Sequence, residues 1–244
     1  MATTRRSKTR QPQQGVLPFP CQHGGRRTGA GRKPKGERAG VSHGPRALLA
    51  PRFPVHVTLK VRRGLPRLRR RAEYAALRAA FVAGCRGTAR GGRSGTFRLC
   101  HYAVLNDHLH LLVEARDRRT LARGVQGLCI RIAKALNKLW RRRGIVFADR
   151  YHDRVLKTPR QVRNALCYVL GNGKKHAAEG REVRVAGPID TFTSAPWFEG
   201  FREVVRVRGL EEVVRPVTDA STWMLTIGWR RHGLLSVHEL PATG

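Results

Sequence analysis

The stretch that most constrains the fold runs from Phe97 to Ala115, where two short apolar segments flank Asn106-Asp107. Asn and Asp suit a tight turn, so the pattern predicts a hairpin of strands 97–105 and 108–115. A strand's period of two puts His108, His110, Leu112 and Glu114 on one face and Leu109, Leu111 and Val113 on the other. Two imidazoles on one face, two residues apart, can reach a single cation if a third ligand arrives from elsewhere. The plainer reading of such a pair is half-exposed polar surface, and the hairpin alone does not decide between them.

The flanking segments supply a context. Val55 to Val61 alternates and is β-branched, a first strand, and Ala72 to Ala83 reads as a helix with Tyr74, Leu77, Phe81 and Ala80 inward. The Gly/Arg-rich segment 84–95 reads as a loop. Leu121, Val125, Leu128, Ile132, Ala135, Leu136 and Leu139 recur at helical spacing behind a Thr120 cap, and a Gly follows Arg141-Arg142-Arg143. A fourth strand falls within Tyr151 to Lys157. Thr158-Pro159-Arg160-Gln161 opens a last helix, with Val162, Ala165, Leu166 and Val169 inward and Gln161, Asn164, Tyr168 and Asn172 as a polar stripe. The succession of strands and helices is that of an α+β, ferredoxin-like split β-α-β sandwich with an antiparallel sheet.

Three divisions follow. Residues 1–50 are rich in Arg, Lys, Gly, Gln and Pro without hydrophobic period, and are expected to be a disordered basic tail. Within it Gly24 to Gly36 resembles an AT-hook, whose Arg26, Arg27, Arg32, Lys33 and Lys35 suit a narrow minor groove or any phosphate backbone. Residues 51–180 form the domain built on the hairpin. Residues 181–244 form a small C-terminal extension, with a charged helical stretch expected over Glu199 to Arg215 and aromatics interleaved with arginines suited to unpaired bases. The plainer use of its tryptophans is to cover the edge of the core.

Forty-nine Lys and Arg against 16 Asp and Glu give a formal net charge of +33. Such an excess is most simply offset by a polyanion, with nucleic acid the first choice, because phosphate neutralisation releases counterions. Cys21, Cys85, Cys100, Cys129 and Cys167 are scattered and form no C-x-x-C pair, which suits reduced thiols. No apolar run reaches membrane-spanning length and no signal peptide is evident, so a cytoplasmic, nucleoid-associated protein without membrane partners is expected.

Three segments in order, Asn106 to Glu114, Val146 to Tyr151 and Cys167 to Asn172, resemble the bacterial REP-associated tyrosine transposases. These belong to the single-tyrosine HUH transposases, and the likeness spans residues 50–176. The resemblance implies that Tyr168 is a nucleophile and that His108, His110 and Asn172 ligate a Mg or Mn ion. It implies cleavage and rejoining of single-stranded, hairpin-forming DNA through a 5′-phosphotyrosine, by a monomer or homodimer, in DNA transposition or repeat mobilisation. Two positions depart from the family pattern: Asp107 stands where Asn commonly precedes the first histidine, and Gly171-Asn172-Gly173 stands where relatives often have Asn-Pro.

Arg150, Arg154 and Arg163 flank the expected site and suit phosphate contacts, or else are solvated charge. His56 reads as a packed or edge histidine, His176 as a residue beyond the helix that suits DNA, and Glu114 as too far along the strand to share the metal. Tyr151-His152 is a weaker nucleophile and base pair. Two other functions stay open: a non-catalytic, sequence- or structure-specific DNA-binding protein that keeps the fold, and a metal-dependent hydrolase using water.

Overall fold

The computed structural model describes residues 47–89, 97–180 and 183–241, with side chains throughout except at 86–89. Cys21, the basic leader with Arg26, Arg27, Arg32, Lys33 and Lys35, and residues 90–96 lie outside them.

Four strands, β1 (Val55–Lys60), β2 (Phe97–Val104), β3 (His108–Ala115) and β4 (His152–Val155), form one sheet in the order β2-β3-β1-β4, antiparallel throughout. Helix α1 (Arg71–Ala89) joins β1 to β2, α2 (Arg118–Leu139) joins β3 to β4, and α3 (Pro159–Ala178) follows β4. The fold is α+β, with the strand order and succession expected of the ferredoxin-like arrangement.

The alternation in β1 and β3 sorts their side chains between two cores. Val55, Val57, Leu59, Leu109, Leu111 and Val113 pack with Leu77 and Phe81 of α1 and with Leu121, Val125, Leu128, Ile132 and Leu136 of α2. Each side chain removed from water contributes about 1.5–3 kcal/mol before chain entropy is counted. On the opposite face Cys100, Ala103 and Leu112 meet Val162, Ala165, Leu166 and Val169 of α3, joined by Met224, Leu225 and Trp229 of the C-terminal extension. A bulge between Leu99 and His101 lets β2 serve this second face at both Cys100 and His101. Helix α3 is thus alone among the long helices in covering the histidine face of β3.

Several local expectations need correction. Asp117, not Thr120, caps α2: its carboxylate accepts the Thr120 backbone N–H at 2.7 Å, a better acceptor for the helix's positive end. Helix α1 continues to Ala89 into the expected loop, and Gly84 makes room there, since a Cβ would come within 3.3 Å of Leu128 Cδ1. The Thr158 cap is as read, accepting from Gln161 N at 3.2 Å, while the Gln161 side chain reaches one residue further out, to Lys157 N at 2.7 Å.

The stretch Glu199 to Arg215 is not a helix. Phe201 bridges Leu235, Glu203 accepts from Ser236 Oγ at 2.6 Å and Val237 N at 3.0 Å, and Gly209 turns at φ +69°. Its β-branched Val204, Val205 and Val207 weigh against a helix, and long-range pairing replaces the expected local bonds. Among the described residues the only α-helix of the extension is one turn, α4 (Trp223–Thr226).

Candidate functional site

The site is built where β1, β3 and α3 meet. Register places Thr58 opposite His110 and Lys60 opposite His108, and on the other edge of β1 places Arg154 opposite His56 and His152 opposite Thr58. All of these side chains share the α3 side of the sheet, because the intervening residues of β1 and β3 are committed to the other core. Tyr168, Asn172 and His176 follow one another at successive turns of α3.

The Tyr168 hydroxyl lies 3.4 Å from His110 Nε2, with the two ring planes at 74°. His108 and His110 stand at 86° with centroids 4.8 Å apart, and His176, further along α3, lies 6.2 Å from the His108 ring. Asn172 is bracketed by these two contacts. It is fully buried, and among the described residues neither its Oδ1 nor its Nδ2 has a hydrogen-bond partner. A buried amide so placed costs on the order of 1–3 kcal/mol, which an unbound polar group rarely incurs without a use.

His110 Nδ1 faces His56 Nε2 at 3.1 Å and Thr58 Oγ1 at 3.2 Å. Burial, helped by the neighbouring His56, His108 and His176, pushes the His110 imidazole down to about 2. Burial does the same to His56, down to about 4, with His152 and Arg154 adding to the effect. Both rings are therefore neutral near pH 7, and each keeps one lone pair.

Asp107 is placed to orient His108. Its Oδ1 lies 2.7 Å from His108 Nδ1, and this contact holds the carboxyl below its ordinary range. A proton on Nδ1, donated to that carboxylate, leaves the His108 Nε2 lone pair for another partner. The open cleft beyond is lined by Thr58, Lys60, Asn106, Asp107, His108 and His176.

No group of three His, Cys, Asp or Glu suited to a metal occurs among the described residues. The structure brings the His108 and His110 rings together, and the carboxamide of Asn172, one turn beyond Tyr168 on α3, is buried without a partner among the described residues; imidazole nitrogen and amide oxygen are donors of the kind that suit a divalent cation.

The other sequence candidates have separate placements. Arg154 is exposed beside His56, and Arg150 is exposed ahead of β4. Arg163 is committed within the chain, paired through both terminal nitrogens with Glu239 at 2.7 and 2.8 Å and donating to Gly233 O at 3.0 Å. Glu114 lies away from the histidines, where it accepts four hydrogen bonds from Ser221 and Thr222. Tyr151 packs against the core on the far side of the sheet. His176 is within α3 rather than beyond it. His56 and Thr58 were missed as neighbours of His110: alternation gives their face, but only the β1–β3 register gives their partner.

No helix among the described residues is long and apolar enough to cross a membrane. No protein-family model matches the chain, and no curated protein does. Among solved structures, the chain is similar to a REP-associated tyrosine transposase bound to a REP hairpin. That likeness has 15% identity and a TM-score of 0.44, over 57% of this chain and 74% of the other. It is also similar to a bacterial tRNA(His) guanylyltransferase-like protein in complex with ATP, at 12% identity and a TM-score of 0.35, over 55% and 66%.

Proposed function

We propose that the chain is a metal-dependent, single-tyrosine DNA strand transferase that cleaves and rejoins single-stranded, hairpin-forming DNA. The observation that carries the reading is the 3.4 Å approach of the Tyr168 hydroxyl to His110 Nε2, with a buried, unpartnered Asn172 one turn away. It agrees with the ordered motifs of the sequence and with the net charge of +33.

Tyr168 is the nucleophile. Its oxygen attacks a DNA phosphorus as the bond to the 3′ oxygen breaks, leaving a 5′-phosphotyrosine and a 3′-hydroxyl that takes up the equivalent of the phenol proton. Attack by another 3′-hydroxyl reverses the step and rejoins strands without external energy. His108, His110 and Asn172 would hold the cation, Mg or Mn, through Nε2 of each ring and Oδ1 of the amide, and Asp107 orients the His108 ring. When bound, the ion polarises the phosphodiester and offsets charge in the transition state. Arg150, Arg154 and the basic leader contact phosphates along the strand. Either a monomer or a homodimer is compatible with a nucleophile and ligands drawn from one chain.

The test is incubation of the full chain with hairpin oligonucleotides in Mg or Mn. A denaturant-resistant protein–DNA adduct that maps to Tyr168 and disappears in Tyr168→Phe is expected. Hairpin binding with no adduct under either metal would favour a DNA-binding protein without chemistry, and turnover with no covalent intermediate would favour a hydrolase.

A further inference from the structure

We infer that His56 is a positioning residue: its Nε2 accepts the Nδ1 proton of His110 and so leaves His110 Nε2 without a proton, on the side of the Tyr168 hydroxyl. The hydrogen bond stands on geometry alone, and only its catalytic consequence rests on the function proposed above.

A neutral imidazole has one N–H and one lone pair, so the group facing one nitrogen decides what the other can do. His110 Nε2 faces the Tyr168 hydroxyl, and Nδ1 faces His56 Nε2 at 3.1 Å and Thr58 Oγ1 at 3.2 Å. Were the proton on Nε2, that nitrogen could ligate nothing, and two neighbours would converge on the single lone pair of Nδ1. With the proton on Nδ1, His56 accepts it, and the Thr58 hydroxyl is free to rotate.

Arg154 stands opposite His56 on β4, at the edge of β1 away from β3. The His56 ring is fixed from two sides, 5.1 Å from the His110 ring and 5.7 Å from the Tyr168 ring, the latter edge-on at 68°. A residue at this point on β1 therefore sets both the tautomer of His110 and the seat of the nucleophile's ring. Neither duty requires it to touch DNA or cation.

The tautomer can be read directly in the full chain without added metal, by long-range proton–nitrogen correlation of the histidine side chains. The His110 signal is assigned through its contacts with both the Tyr168 and the His108 rings, a pair of contacts that His56 does not share. The wild-type chain is expected to show a protonated Nδ1 and a bare Nε2. His56→Phe, which fills the space without accepting, is expected to give a mixture of tautomers, whereas His56→Gln, whose Oε1 can take the place of Nε2, keeps the wild-type form.

In Mn the rate of adduct formation should fall roughly 10- to 100-fold in His56→Phe, as for other groups that orient ligands, and recover largely in His56→Gln. Hairpin affinity should stay unchanged in both. A His110 protonated at Nε2 in the wild type, or an unaltered tautomer in His56→Phe, overturns the inference. The wild-type spectrum remains decisive if His56→Phe does not fold. Absence of any adduct in the wild type would count against the proposed function and leave the tautomer result standing.

Discussion

A Cβ on Gly173 would lie 1.8 Å from Asp190 Oδ2. Asp190 is paired with Arg69 through two hydrogen bonds, at 2.8 and 2.9 Å, and both side chains are nearly sealed from solvent. The absent side chain at Gly173 is what lets this ion pair sit against α3, and Arg69 then reaches Val104 O at 2.9 Å, at the end of β2. Gly173 thus has a structural use. Helix α3 runs on through it to Ala178.

Gly173→Ala is accordingly expected to destabilise the fold by about 3 kcal/mol, because a buried pair that loses its geometry keeps its desolvation cost. Denaturant unfolding measures it. An alanine tolerated without loss would mean that Asp190 moves aside freely.

Glu114 anchors the C-terminal extension to the sheet rather than serving the histidines on its own face. Its two oxygens accept from the backbone and hydroxyl groups of Ser221 and Thr222 at 2.7–2.8 Å, and the same Thr222 caps α4. Glu114→Ala strands those donors and is expected to cost about 3 kcal/mol or more. Hydrogen exchange should rise first in residues 220–237, ahead of β1 and β3. Uniform exchange across the sheet and extension would contradict a local anchor.

Asn172 presents a conflict between stability and function. Its carboxamide is buried without partners, so Asn172→Leu removes a desolvated polar group of similar size. The variant is expected to be as stable as the wild type or about 1 kcal/mol more so, while losing cation affinity and adduct formation. Thermal melting with Mn titration checks both arms. A strongly destabilised leucine variant would show that the amide is structurally satisfied, and unchanged Mn binding would remove it from the ligand set.

What the sequence made legible follows from which signals are local. The hairpin, the bounds of β3 and the Thr158 cap of α3 are written in alternation and turn chemistry within a few residues, and the Tyr168–Asn172 spacing needs only the helical period. The contact of His56 with His110 depends on strand register between residues far apart in sequence, which no local pattern carries. The hydrogen bonding of Glu114 depends on the C-terminal extension. There non-local pairing through Phe201, Glu203 and Leu235 overrode an apparent helical pattern in a valine-rich segment.

Acid sensitivity gives the last prediction. His101 Nδ1 lies 3.2 Å from Ser194 Oγ, which itself accepts the Tyr102 N–H at 3.1 Å and so offers its proton to the imidazole. The ring packs edge-on to Phe198, and burial, with Arg215 adding a little, pushes it down to about 3. An imidazole with a folded value below its unfolded 6.5 binds fewer protons in the folded chain. Its stabilising difference is therefore full above about pH 6.5 and shrinks as the pH falls toward 3. His56 and His110 act with the same sign. The lowered carboxyls of Asp107, Glu203 and Glu239 add to the loss only below their own unfolded range, so the interval from pH 6.5 to 5 belongs to the histidines. Urea unfolding across that interval is expected to show falling stability, with His101 alone contributing on the order of 1–2 kcal/mol. His101→Asn, which keeps a polar side chain but does not titrate, should flatten the slope by that amount. A slope that is unchanged in the variant would show that His101 can charge within the folded chain without loss of the Ser194 bond.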